Sequence, residues 1–503
     1  LTLVNEQTPH LDPPDDLPEQ MKVRRAKRAE LLERGTAPYV RTFDRTHTIA
    51  EIRDTYPDLE PGAETGDHVA VVGRVIFIRN TGRLCFVRLR AGDGAELQVM
   101  LSLAKVGEDA LADWKHLADI GDLVGVEGEV VTSRRGELSV MAERWTMVAK
   151  AMRPLPVEHK ALGEETRIRQ RYVDLIVNPD AREMVRTRAA VVRSLRDTLH
   201  GDGYVEVETP IFQLVHGGAA ARPFRTHVNA FDLPVTLRIA LELPLKRAVV
   251  GGMERVFEIG RIFRNEGVDS THSPEFTMLE AYEAYGDYDS MIELTRDLVV
   301  DAARAVGRTV IPDQHGGEID LEQEWARVSL HDAVSAAVGE TVTIDTNAER
   351  LRKLAARHEV PLQPEWDHGE IVLELFEKLA EHTLLQPTFV CDYPAEVKPL
   401  ACPRPDDSRL NETWDLIIAG VELAMANSEL VDPVIQRDRL VQQAQLAAQG
   451  DPEAMELDED FLRAMEYGMP PMGGMGMGVD RLVMLLTGAS IRETILFPLV
   501  KPE

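Results

Sequence analysis

The sequence predicts an α+β protein of two domains: a small N-terminal β-barrel, then a larger domain built on an antiparallel β-sheet with flanking helices. Three observations predict it. The chain has 503 residues, more than one hydrophobic core usually organises. Between 67 and 150, short β-prone runs follow one another with turn residues between them. From about 167 onward, helical and strand-like segments mix without the regular βα alternation of a doubly wound parallel sheet.

Composition narrows the function. Lys plus Arg number 56 against 85 Asp plus Glu, a formal net charge of −29. Such a surface favours solubility and repels polyanions over most of its area, so any nucleic-acid contact must be local. The three cysteines, Cys85, Cys391 and Cys402, are too few and too scattered for a disulfide framework or a Cys-rich zinc site, which fits a reducing cytoplasm. No run approaches the ~18 apolar residues of a membrane span, and the opening LTLVNEQTPHLDPPDD lacks a basic segment followed by an apolar core. No membrane partner is expected.

Residues 1–66 read as a tail and a basic helix leading into the barrel, the polar, Pro-rich tail occupying 1–19. In MKVRRAKRAELLERG, Lys22, Arg24, Arg25, Lys27 and Arg28 lie on a helix-favouring stretch that stops at Gly35. A solvated face and a phosphate-binding face are equally good readings; basic charge on so acidic a protein tilts the choice toward nucleic acid. Residues 67–150 hold HVAVVGRVIFIRN, LCFVRLRAG, AELQVML, LVGVEGEVV and ELSVMAERWTMV, with a helical interruption near ALADWKHLADIG. Five such strands suggest a small barrel of the oligonucleotide-binding type. Residues 151–166 read as a linker, and 167–503 as the larger domain.

In that domain AREMVRTRAAVVRSLRDTLHGDG is a helix from about 180 to 200, leading into a strand, YVEVETPIF, which Pro210 ends as at an edge or interface. Residues 290–385 are charged and helical, an expected insertion. In residues 254–285, VFEIGRIF and EFTMLEAYEAY alternate like strands around the polar loop RNEGVDSTHSP. The hairpin puts Arg264 and Glu266 near one end of the loop and His272 near the other. Two cations and an acid facing one cleft suit a polyphosphate and a base edge, and Phe276 is placed to stack on a purine. In GGMGMGVDRLVML, the glycines 474, 476 and 478 share one face of a strand, allowing a planar ligand or another backbone to come close, and Arg481 begins a helix. GVELAMANSELVDP, residues 420–433, carries Glu422 and Glu429 seven positions apart. That spacing is about two helical turns, or an odd separation on a strand that points them to opposite faces.

In order, RYVDLIVNP, VETPIFQ, GGAAARPFRTH, LKRAVVGGMERVFEI, FRNEG, HSPEFTMLEAY, SELVDP, GMGMGVDRLVMLL and SIRETILFPLVKP resemble the three signature motifs of the class II aminoacyl-tRNA synthetases. Over nearly the whole chain the text resembles the lysyl branch of that family, of bacterial type. The resemblance implies activation of the amino acid by ATP, with Mg²⁺ neutralising the polyphosphate, and transfer of the aminoacyl group to the terminal ribose of tRNA. It implies that Arg264 meets the α-phosphate and the substrate carboxylate, Glu266 the adenine amino group and Phe276 the adenine ring. His272 and Arg481 then stand near the β- and γ-phosphates, and Asp415 and Glu422 ligate Mg²⁺ from neighbouring strand ends. It further implies an anticodon-binding barrel, with Phe86 stacking, Gln98 hydrogen-bonding and Arg79 nearby. A homodimer through the segment around Pro210 is implied as well.

For the amino acid, the resemblance assigns Glu280, Glu429 and Tyr282 to the lysine ammonium and Gly218 and Glu242 to the α-amino end. Paired buried carboxylates call for a positively charged substrate end. The chain departs from the family's usual text in the same pocket, with Leu241, Pro244, Met425, Asn427 and Val431 where APELYLK and NAYSELND are common. Met425 cannot hydrogen-bond as an amide does, and Asn427 adds polarity where an aromatic wall is usual. Besides lysine charging, the sequence leaves open a lysine-like amino acid, a paralogue with altered inhibitor sensitivity, a ligase with a non-tRNA acceptor, and a non-catalytic RNA-binding protein.

Overall fold

In the computed structural model of the chain, residues 17–156, 162–269, 271–448 and 456–502 are described. The tail expected at 1–19 lies almost wholly outside them. The chain divides into two compact units, one running to Arg182 and the other beginning at Glu183.

The first unit contains a closed barrel of order β1-β2-β3-β5-β4, built from β1 (Glu64–Asn80), β2 (Leu84–Arg90), β3 (Glu96–Ser102), β4 (Leu123–Thr132) and β5 (Leu138–Ala149). These are the five β-prone runs. Alternation sends Cys85, Val87 and Leu89 of β2 and Leu97, Val99 and Leu101 of β3 into a core with Val71, Val75, Val124 and Val126. The helix Glu108–Leu117 adds Leu111, Trp114 and Leu117 to it, Trp114 standing edge-on to Trp145 with ring centroids 5.1 Å apart. Closure leaves the barrel without the unpaired edges that invite aggregation.

The N-terminal helix Glu19–Glu33 ends beside Gly35, whose φ of +72° suits glycine. Its basic residues divide between docking and solvent. Arg24 is buried, donating to the carbonyls of Ile120 at 2.7 Å and Ala151 at 3.0 Å, and Lys27 pairs with Asp119 at 2.6 Å. Two of the five cations therefore dock the helix on a barrel loop, and only Lys22, Arg25 and Arg28 stay exposed. The segment expected as a linker enters a helix, Glu164–Arg169, followed at once by another, Arg171–Val177. Both helices fall within the first compact unit, which runs to Arg182.

The second unit has β6 (Val205–Glu206), β7 (Phe212–Gln213), β8 (Arg225–Val228), β9 (Leu233–Leu237), β10 (Arg255–Phe263) and β11 (Glu275–Ala284). There follow β12 (Val310–Pro312), β13 (Glu318–Asp320), β14 (Ala326–Ser329), β15 (Thr388–Pro394), β16 (Leu410–Ile418), β17 (Val421–Ser428) and β18 (Met472–Gly478). The main sheet runs β14-β15-β16-β17-β18-β11-β10-β6, with a separate β7-β9-β8 sheet and a β12-β13 pair. Its interior pairings are antiparallel; β14 with β15 and β6 with β10 are parallel, so the expected antiparallel sheet has parallel ends.

Two further expectations change. YVEVETPIF is no continuous strand: only β6 and the start of β7 pair within it. Pro210 has no N–H, and the N–H and hydroxyl of Thr209 are both taken by Glu258, at 2.9 and 2.7 Å. The 290–385 segment is helical over Leu330–Val338, Ala348–Arg357 and His368–Leu375, which share their own core. It also contains β12, β13 and β14, and its first helix, Tyr288–Ala305, belongs to the main core instead.

That main core lies on one face of the sheet. Leu195, Met291, Leu298, Leu482 and Leu486 from the covering helices pack against Leu279, Trp414, Leu416 and Met475. Alternation then puts Phe276, Met278, Glu280 and Tyr282 of β11 on the opposite face, with the β18 glycines between β11 and β17. Glu422 and Glu429 lie in and just beyond β17, not on a helix, and the odd-separation rule fails too. Leu416 pairs with Ala424 while Ile417 pairs with Glu422, a β-bulge at Leu423. Leu423 and Ala424 both enter the main core. The extra residue restores both glutamates to the same face.

Candidate active site and RNA-binding face

The β10–β11 hairpin pairs Ile262 with Phe276 and Phe263 with Glu275, which places Arg264 at the mouth of its loop. The Arg264 guanidinium lies 5.3 Å from the Phe276 ring and donates through Nε to the Ile239 carbonyl at 3.3 Å. Burial lowers its pKa against the opposing charges of Glu266, Glu422 and Glu280, with Arg481 also in reach. Glu266 is exposed and accepts the Arg222 N–H at 3.2 Å. His272 stands apart on the exposed loop, its Nδ1 2.9 Å from Asp269. Backbone N–H bonds from Thr271, with the His272 contact, hold that aspartate well below the usual carboxylate range.

Arg481, in the helix Val479–Thr487, donates to the Glu422 carbonyl at 2.7 Å. Its buried neighbour Asp480 accepts the Thr277 N–H at 2.6 Å and Arg188 at 2.5 Å. The helix start is thereby tied to β11, and the Arg481 backbone is fixed with it.

Beyond Arg264 lies an acidic pocket. Glu280 accepts the Leu241 N–H at 2.8 Å on one oxygen and the Tyr282 hydroxyl at 3.0 Å on the other. Burial, reinforced by the charge of Glu242, pushes its pKa up to about 7. Glu429 is buried and is also raised, with Lys246 pulling it back. The glycine face of β18 is filled by these side chains and not by another backbone. A Cβ on Gly474 would collide with Glu429 Oε1 and the Tyr282 ring; one on Gly476 would stand 3.1 Å from Met278 Cε, and one on Gly478 3.5 Å from Arg481. Gly218, at φ +85°, leaves a Cβ-sized gap only 3.0 Å from Glu242 Cβ.

The departing residues line the same region. Met425 is paired with Gly476 and Asp415. Asn427, across from Gly474, is 7 % exposed, and its Oδ1 has no hydrogen-bond partner among the described residues. Leu241 is buried, with its N–H spent on Glu280. Pro244 sits in the first turn of the helix Glu242–Val250, where a missing N–H is tolerated. Val431 packs in the cluster around Leu241 and Tyr282.

Two lysines escaped the sequence reading. Lys246 is wholly buried between Glu242 and Glu429, at 2.5 and 2.6 Å; its spacing of four from Glu242 on a helix was the available signal. Lys398 lies 3.0 and 3.2 Å from the two oxygens of Asp415 and 4.8 Å from the Tyr393 ring. Asp415 is therefore already paired, whereas the Glu422 side chain is 45 % exposed. Burial and the charges of Glu422 and Glu377 raise Glu381 to about 7. Among the described residues no group of three or more His, Cys, Asp or Glu side chains is arranged to hold a metal by itself.

On the barrel, β1 and β2 pair Arg79 with Phe86, and Phe77 with Arg88, while Arg88 pairs with Gln98 of β3. Phe86 is half-buried and lies outside the barrel core, with the Arg79 guanidinium 4.7 Å from its ring. Gln98 donates to Ser139 Oγ at 2.9 Å. The sequence reading missed Phe77, 47 % exposed, and Arg88, 5.9 Å from the Phe77 ring. Together they form an outward face of aromatic rings flanked by guanidiniums.

Residues 163–501 match the family model described as tRNA synthetases class II (D, K and N), and residues 69–148 match the OB-fold nucleic acid binding domain. The chain is 56 % identical over 493 residues to a lysine–tRNA ligase of Mycolicibacterium gilvum (strain PYR-GCK), covering 97 % of this chain and 98 % of that one. A lysine–tRNA ligase of Kineococcus radiotolerans is also 56 % identical, over 491 residues, with the same coverage. One of Mycobacterium bovis (strain BCG / Pasteur 1173P2) is 52 % identical over 499 residues, covering 98 % and 99 % of the two chains.

Proposed function

The chain belongs to the class II tRNA synthetases, and from that premise we propose that it activates lysine with ATP and transfers it to tRNA. The carrying observation is the pocket of Glu280, Tyr282 and Glu429 opened by the missing side chain of Gly474. Buried carboxylates raised toward neutrality are stabilised by a substrate ammonium.

In the first step a carboxylate oxygen of lysine attacks the α-phosphorus of ATP, and pyrophosphate leaves with the bonding electrons. In the second a ribose hydroxyl of tRNA attacks the activated carbonyl, and AMP leaves. Arg264 binds both the carboxylate and the α-phosphate through its planar fork, bringing the reacting atoms together. Phe276 stacks on adenine, Glu266 accepts from its amino group, and Arg481 takes the outer phosphates, as does His272 once released from Asp269. No side chain acts as nucleophile; positioning and electrostatics do the work.

Glu422 is a partly exposed carboxylate, and Glu377 and Glu381 add negative charge beside it that Arg481 offsets only in part, a setting that suits Mg²⁺ carried largely by the ATP phosphates. Glu422 would hold the ion directly, with Asp415 joining if Lys398 yields. Mg²⁺ held there would supply positive charge to offset that of the polyphosphate.

The barrel face of Phe77, Arg79, Phe86, Arg88 and Gln98 suits single-stranded anticodon bases, stacked on rings with the backbone charge met by arginine. A homodimer is supported by exposed apolar residues near β7, where Phe212 is 58 % and Leu214 69 % exposed. Three free cysteines fit a cytoplasmic setting, and no helix among the described residues is long and apolar enough to cross a membrane.

The test is ATP–pyrophosphate exchange across the common amino acids, followed by charging of purified tRNA. Lysine-dependent exchange and lysyl-tRNA are expected. Exchange without charging points to a different acceptor, and exchange selective for another amino acid overturns the lysine assignment at Met425 and Asn427.

A further inference from the structure

Lys246 has no exposed surface, although it is a charged residue on a helix. Its ammonium bridges Glu242 Oε1 at 2.5 Å and Glu429 Oε2 at 2.6 Å, with the Tyr282 ring 5.9 Å away. Burial alone would push this ammonium down toward neutrality; the charges of Glu242 and Glu429 reverse that and hold it above its ordinary value. It is a permanent internal cation. The groups facing it are Glu242 from its own helix, Glu429 from the end of β17, and Glu280 and Tyr282 from β11. Arg264 acts on Glu280 from the hairpin, and Cys402 lies close enough to Glu429 to feel its charge.

Two consequences follow from this geometry. With Oε2 of Glu429 taken by Lys246, Oε1 is the oxygen that faces the bare side of Gly474 and Tyr282. When its carboxylates are ionised, the pocket sets three buried acids, Glu242, Glu280 and Glu429, against one internal ammonium. The deficit is two positive charges, which matches the α- and ε-ammonium groups of lysine, while the lysine carboxylate answers Arg264. An amino acid with a single ammonium leaves a buried carboxylate unpaired.

We propose that Lys246 is a positioning and specificity residue of the amino-acid pocket, a built-in counter-ion that aims Glu242 and Glu429 and makes the pocket electrically complementary to a dicationic amino acid. The inference rests on the lysine-charging reading. It differs from a packing role in predicting a change of pH dependence.

The test measures lysine-dependent ATP–pyrophosphate exchange from pH 6 to 9 for the intact protein and for Lys246→Met, Lys246→Gln and Lys246→Arg. Removing the charge raises the proton affinity of Glu429, so in both neutral variants the acid limb of kcat/KM for lysine moves up by about one pH unit or more. At pH 7 their KM for lysine rises about tenfold or more and recovers toward pH 9, while KM for ATP stays within about twofold. Lys246→Arg keeps the limb where it was. A folded neutral variant with an unmoved limb overturns the proposal, as does an arginine variant shifted like methionine. If neither neutral variant folds, calorimetry of lysine binding to the unaltered protein at pH 8, in buffers of different ionisation enthalpy, decides. Release of less than about one and a half protons supports an internal cation that draws Glu429 toward its ionised form, and a larger release overturns it. Failure of the lysine reading is distinguishable, because the unaltered protein then shows no lysine-dependent exchange.

Discussion

Glu429 divides its buried carboxylate between Lys246 and the pocket. On the proposed lysine-charging reading, Glu429→Gln removes the charge that would meet the substrate ammonium and weakens the support of Lys246. Losing one partner of a desolvated ion pair costs about 2–5 kcal/mol, so KM for lysine in the exchange assay should rise about a hundredfold, with a lowered Tm. Glu280 gives a second, pH-resolved expectation. Its folded pKa of about 7 lies above the ordinary carboxylate value of 4.5. Its stabilising proton is fully present below the ordinary value and is lost as pH rises through about 7. Lysine needs the ionised form, so the rise in Tm at saturating lysine should grow from pH 6 to 8; a shift that is flat with pH counts against Glu280 as a ligand. Glu429 stands out in the sequence because it and Glu422 are two glutamates in a nearly uncharged apolar run, whereas Glu280 is singled out by the family resemblance alone. Lys246 does not stand out, because lysine on a helix is ordinarily solvated.

The glycines of β18 differ in consequence at the scale of the strand. Gly474→Ala drives a methyl into Glu429 and Tyr282, whereas Gly476→Ala meets the flexible end of Met278 at 3.1 Å and Glu280 Cγ only at ordinary contact, 3.7 Å. Exchange kinetics should show KM for lysine raised at least about tenfold for the first variant, against a change within about threefold for the second. On the barrel, Phe86→Ala should raise KM for tRNA by about 5- to 100-fold, from a stacking loss of about 1–3 kcal/mol, and leave amino-acid activation unchanged. Replacing Arg79 and Arg88 together by Gln should flatten the slope of log KM for tRNA against log salt by about 1.4. The β10–β11 hairpin and the five barrel strands could be read from alternation between turn residues, since period two is written directly into composition. The bulge at Leu423 could not, because one slipped pairing leaves no mark in residue type. The strand expected through Pro210 failed for a related reason: the Glu258 carboxylate that replaces its ladder comes from a distant strand.

For the molecule as a whole, the charge of −29 means that RNA approaches against repulsion except where rings and arginines are exposed together. The apolar residues near β7 carry the prediction for assembly. Leu214→Asp should shift the protein from dimer to monomer in sedimentation velocity, and a variant that stays dimeric excludes this surface as the contact. The basic N-terminal helix shows where reading charge from sequence misleads: Arg24 and Lys27 answer carbonyls and an aspartate of the barrel's own loops, a demand invisible until the barrel exists.

The bulge in β17 also gives the strand a parity. Glu422 and the alternate residues Met425, Asn427 and Glu429 face the same side only because one extra residue lies between them. Removing Leu423 alone would send one end of the strand to the wrong side of the sheet, whereas adding or removing two residues would keep both. Length changes tolerated in this window should therefore come in pairs, which lets natural or engineered variants be sorted by counting residues before any assay is run.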